Sequence, residues 1–133
     1  MAGRLVVNTL NTDTVGAVLT TQNGMTGIAK AWVQFVGSTG AINGSFNVSS
    51  ITRNAAGNYN VNFTTAMPNA NYSASVNGGV ASANTSFGAA QLFSSAVGTT
   101  VAPTTSTFQF IYVHTANLIL QDSPYLCATV FSS

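Results

Sequence analysis

The chain has 133 residues, enough for one domain whose core needs neither a disulfide nor a metal. Only 4% is charged (Arg4, Asp13, Lys30, Arg53 and Asp122, with no Glu), and the formal net charge is +1. That leaves no basic surface to neutralise a nucleic-acid backbone, no apolar run near the ~20 residues of a membrane-spanning helix, and a single cysteine, Cys127, that cannot build an internal disulfide framework.

Glu, Lys and Arg are scarce, whereas Thr, Val, Phe and Tyr recur, so strands are expected throughout. Residues 1–27 have small apolar residues, no aromatics and little turn punctuation. They read as an extended N-terminal arm or a lone strand that lies on the body, on another subunit or against a virion. Leu5 to Val7 is too short for the apolar core of a secretion signal. The body is expected over residues 28–133. Its first strand, "IAKAWVQFV", places Ala29, Ala31, Val33 and Phe35 on one face and Lys30, Trp32 and Gln34 on the other. A turn at "GSTG" leads into "AINGSFNV", where Ile42, Phe46 and Val48 are in phase. Ile51 then falls out of phase, which predicts a bulge or strand end near Ser49 and Ser50. "RNAAGN" reads as a short hairpin connection with Gly57 available for positive φ.

"NYNVNFTT" follows, with Tyr59, Val61 and Phe63 inward and Asn58, Asn60, Asn62 and Thr64 outward, and it ends before Pro68. "NYSASVN" has Tyr72, Ala74 and Val76 in phase until Gly78 and Gly79 break it, and "SFGAAQLFSS" is a looser strand. A loop around Pro103 precedes "FQFIYVH", which is apolar on both faces, as is "YLCATVF". Strands of that kind are central ones. The pattern of about seven or eight short strands with Gly, Asn and Ser turns predicts an all-β domain, a β-sandwich of jelly-roll-like form.

Residues that could carry chemistry are few. Paired carboxylates would have to be Asp13 and Asp122, one in the arm and one in the loop "QDSP". A nucleophilic triad would have to combine His114, Asp122 and a serine, without a Gly-x-Ser-x-Gly elbow; the simpler reading is a strand-end histidine bonded locally. One His, one Cys and two Asp make no metal-ligand spacing, and no phosphate-binding glycine loop precedes a helix. No catalytic residue, cofactor or metal is therefore expected. Cys127 reads as a small core residue. The sequon-like "NVS", "NFT", "NYS" and "NTS" follow from the Asn/Ser/Thr bias.

Trp32 lies between Lys30 and Gln34 on the polar side of its strand. It reads either as core or subunit interface, with both faces of the strand covered, or as a platform for a ligand. Asn58, Asn60 and Asn62 form an uncharged outer ladder that can bond to a strand, a subunit, water or a sugar without desolvating an ion. Lys30, Trp32, Gln34, Asn58, Asn60 and Asn62 are the candidate glycan or interface contacts.

"KAWVQF" and the later "GSFNVSSITRNAAGNYNVNFTTAMPNANYS", together spanning Lys30 to Ser73, resemble a module of marine and cyanobacterial phage tail-fibre-like proteins. The resemblance covers roughly a third of the chain. The family pattern has acidic residues where this chain has Asn58 and Asn69. The resemblance implies a non-enzymatic virion protein exposed on the particle, commonly trimeric, with no catalytic residues. Three functions follow as expectations. The first is a homotrimeric structural protein of the virion surface, bound to other capsid or tail proteins as a capsid decoration or short tail-fibre-like appendage, and released by lysis. The second is a module of a fibre tip that recognises host-surface glycan. The third, a depolymerase, lacks the acidic pairs that such enzymes use.

Overall fold

The computed structural model describes residues 28–79 and 88–132. Strands β1 (Ala31–Phe35), β2 (Ile42–Phe46), β3 (Val48–Ala55), β4 (Asn58–Phe63), β5 (Ser73–Gly78), β6 (Gly88–Leu92), β7 (Ser94–Ala96), β8 (Thr99–Thr100), β9 (Thr107–His114) and β10 (Leu126–Phe131) follow in chain order. Eight of them form two packed four-stranded sheets, in the orders β2-β1-β10-β5 and β3-β4-β9-β6, and β7 and β8 make a small hairpin. All pairings are antiparallel. This is the expected β-sandwich. Hairpins β1–β2 and β3–β4 each stay within one sheet, and the chain crosses between sheets at Asn47 and again in the connection that carries Pro68. The expected arm lies outside the described residues.

The alternation in the sequence sets what is buried. In β1, Ala31, Val33 and Phe35 are buried, and Trp32 and Gln34 are exposed. In β4, Tyr59, Val61 and Phe63 point into the core. The expected central strands are central: β10 runs between β1 and β5, and β9 between β4 and β6. The core is largely aromatic. Phe35 meets Tyr59 edge-on at 5.2 Å, Tyr59 meets Phe110 at 5.3 Å, and Phe63 meets Tyr72 edge-on at 5.7 Å. Such inclined contacts favour a ring's positive edge over another's negative face.

The bulge predicted at Ser49 and Ser50 is present as a register shift between Val48 and Ser50. The turn after Ala55 uses Gly57 at φ 65. Its Cβ would lie 2.5 Å from both Gln121 N and Tyr112 O, so close backbone packing and positive φ both require glycine there.

Three expectations are corrected. Phe46 is not in the core with Ile42 and Val48 but 56% exposed. Asn47, at φ 54, turns the chain out of one sheet and into the other, so the phase of β2 does not continue into β3. The Asn47 side chain holds this crossing: Nδ2 donates to Lys30 O and Thr65 O at 3.1 Å, and Oδ1 accepts from Thr65 N at 2.7 Å. Cys127 is not a core residue. It is half-buried on the outer side of β10, opposite Gln34, because Leu126 and Ala128 take the inner positions. Trp32 is not core either, being 44% exposed. Among the described strands, β9 alone has buried apolar residues on both sides. Its outward Ile111 is fully buried where the β7–β8 hairpin folds against the second sheet.

Candidate functional site

The candidate residues separate onto opposite faces of the sandwich. Lys30, Trp32 and Gln34 belong to the outer side of the first sheet, and Asn58, Asn60 and Asn62 to that of the second. No single site can contain both sets.

The asparagine ladder is mostly bonded to its own domain. Asn58 is buried under the β7–β8 hairpin; its Nδ2 donates to Ser95 O at 2.7 Å, and its Oδ1 accepts from Gln109 Nε2 at 2.7 Å. Asn54 Nδ2 bridges Asn58 Oδ1 and Asn60 Oδ1, each at 3.0 Å. Asn62 Nδ2 donates to Ser50 Oγ and Thr52 Oγ1, both at 3.0 Å. The amides cross-link neighbouring strands, a neutral counterpart of the ion pairs usual on a sheet face. Asn60 and Asn62 are half-buried and Asn58 is closed off, so the ladder stiffens the sheet.

The outer face of the first sheet differs. Trp32 stands in register with Phe46 on one side and Thr129 on the other, and Gln34 with Gly44 and Cys127. Phe131, 38% exposed, extends the face along β10, and β5 adds the exposed Ser73, Ser75 and Asn77. Gln34 Nε2 makes a weak 3.8 Å contact with Cys127 Sγ. At the end of β2 an open cleft of about 440 Å³ is lined by Phe46, Asn47, Thr64 and Thr65. The face therefore interleaves exposed aromatics with neutral donors and acceptors.

A third cluster was not expected from the sequence. Asp122 Oδ2 accepts from Arg53 Nη2 at 2.6 Å. Its Oδ1 accepts from Tyr59 Oη at 2.5 Å, Gly57 N at 3.0 Å and Arg53 Nε at 3.1 Å. Burial works to raise the Asp122 pKa, but the hydrogen bonds from Arg53, Tyr59 and Gly57 together outweigh it and hold the carboxyl below its ordinary value. Burial first, and then the bond to Asp122, push the Tyr59 hydroxyl well above its ordinary value. This clasp ties the β3–β4 turn to the loop before β10. The available signal was scarcity: Asp122 is the only acid after residue 27, and a partly buried carboxylate needs a cation.

Asp122 is engaged by this clasp, and among the described residues no hydrogen bond joins it to His114 Nδ1. His114 ends β9, and its buried Nδ1 has no hydrogen-bond partner among the described residues. Among those residues there is also no group of three or more His, Cys, Asp or Glu that could hold a metal. Comparison of the chain with family models, curated proteins and solved structures found no match.

Proposed function

We propose that the protein is a non-enzymatic structural protein of a phage virion, displayed on the particle surface as a homotrimer, in the manner of a capsid decoration or a short tail-fibre-like appendage. The observation that carries this reading is the near absence of charge on the body. Among the described residues only Lys30, Arg53 and Asp122 are charged, and the last two neutralise each other. A free monomer normally keeps itself soluble, and its sheet edges unpaired, with charge. Edge strands β2 (INGSF) and β5 (SASVNG) have neither a charge nor a proline. A chain covered by neighbours needs neither. The resemblance of Lys30 to Ser73 to phage tail-fibre-like modules supports the same reading.

The loop between β9 and β10 supplies a surface for self-association. Leu118 and Ile119 are 56% and 60% exposed, and Leu118 is held at φ 56, a conformation uncommon for side chains other than Gly and Asn. Tyr125, 58% exposed, belongs to the same connection. Adjacent exposed apolar side chains on a constrained turn are suited to burial against another subunit. Sedimentation equilibrium tests this: a trimer is expected, with Ile119→Asp shifting it to monomer. A wild-type chain that stays monomeric at high concentration would refute the assembly.

A further inference from the structure

We propose that the outer face of the first sheet is a binding site for neutral carbohydrate, with the Trp32 indole as its stacking platform. The site is independent of where the protein sits in a particle.

The C–H face of a sugar ring is apolar, and its hydroxyls both donate and accept hydrogen bonds. A matching site needs an exposed aromatic ring beside neutral groups that do the same. Trp32 is 44% exposed on a sheet face, where it could have been covered by a neighbouring side chain. The neighbour is Gly44. A Cβ there would lie 3.5 and 3.6 Å from Cζ3 and Cη2 of the indole, so any larger residue would lie against the ring. With glycine there, only backbone lies beneath that edge of the ring. Gln34, opposite Gly44, presents an amide with both donor and acceptor capacity, held among the described residues by a weak contact with Cys127 Sγ. Thr129, opposite Trp32 on β10, adds a hydroxyl.

Phe46 continues the platform to the cleft of about 440 Å³, a volume within the usual range of small-ligand sites. Thr64 and Thr65 on its wall are exposed, and Asn47 is fixed by its three hydrogen bonds, so the cleft is preformed. The ligand should be neutral. The acid among the described residues, Asp122, is engaged by Arg53, and Lys30, the cation at the end of this face, is half-buried and itself engaged. A second copy of the chain fits this face less well. Trp32 and Phe46 pair directly and Phe131 lies diagonal to Trp32, but Gln34, Thr129 and Ser75 border them with polar groups, whereas the centre of a protein interface is more apolar.

Trp32 is the only tryptophan, so its fluorescence reports the site directly. The full chain is titrated with cellohexaose, chitohexaose and laminarihexaose, and run in native gels containing soluble neutral polysaccharides or alginate. A saturable change in emission with at least one neutral probe is expected. In the gels, Trp32→Ala should weaken retention by about tenfold or more, and Trp32→Phe by no more than about threefold. Gly44→Gln, which lays a side chain against the indole, should weaken binding while leaving the circular dichroism melt unchanged. If Trp32→Ala does not fold, Trp32→Phe and Gly44→Gln carry the test. Four results would overturn the proposal: no response to any neutral probe, full binding by Trp32→Ala or by folded Gly44→Gln, binding to alginate alone, or emission that shifts with protein concentration instead of sugar.

Discussion

Replacing Asp122 by Ala should cost far more than the loss of one surface ion pair. Arg53 can turn its guanidinium to water, so breaking that pair contributes little. The cost lies in the other two donors. Tyr59 and Gly57 are both buried; without the carboxylate the Tyr59 hydroxyl and the Gly57 N–H lose their acceptor. Each stranded donor costs ~1–3 kcal/mol, so Asp122→Ala should lose about 2–6 kcal/mol. Tyr59→Phe removes one donor while the carboxylate keeps Arg53 and Gly57, and should lose only about 1 kcal/mol. In the double variant no hydroxyl is left stranded, so its cost should fall short of the sum by about 1 kcal/mol. Urea denaturation followed by circular dichroism, at one fixed protein concentration because assembly stabilises the fold, measures all three. A loss below about 0.5 kcal/mol for Asp122→Ala, or strict additivity, would refute the clasp.

The same clasp gives a pH signature. The folded pKa of Asp122 is lowered, so its contribution is fully present above the unfolded value of about 3.9 and fades as pH falls through the lower folded value. Wild type should lose stability in that acid window, while Asp122→Asn should lose less across it; equal slopes in acid urea titrations would contradict this. Gly57→Ala, at φ 65 with its Cβ 2.5 Å from two backbone atoms, should prevent the turn from closing, seen as loss of the cooperative melt. Phe110→Ala empties a fully buried site between Phe35 and Tyr59, and should lower stability by about 3–5 kcal/mol in urea. Asn47→Ala removes three hydrogen bonds at a left-handed residue and should cost about 2–3 kcal/mol, with Asn47→Gly losing less of it because glycine accepts φ 54 without strain.

The fold was legible wherever one strand carried its own signal. Period-two alternation marked the buried sides of β1 and β4, the phase slip at Ile51 marked the bulge, and doubly apolar runs marked β9 and β10 as central. What the sequence hid depends on contacts between distant segments. Phe46 and Val48 share a phase, yet Asn47 sends them to different sheets. The pattern of β10 is apolar at Cys127, but the face it points to is decided by Leu126 and Ala128. Lys30, Trp32 and Gln34 were grouped with the asparagine ladder on chemistry alone. Only the layer order shows that a whole core separates them. The clasp joins Arg53, Gly57 and Tyr59 to a loop more than sixty residues away, a distance at which no local pattern operates.

The virion reading is tested most directly by quantitative mass spectrometry of purified phage particles from the source of this chain, with antibody labelling of intact particles. The chain should be a stoichiometric component, accessible on the outside, in a copy number divisible by the trimer. Hundreds of copies would place it on the head and a handful on the tail. Its absence from purified particles, with the protein found only in the infected-cell lysate, would overturn the virion assignment.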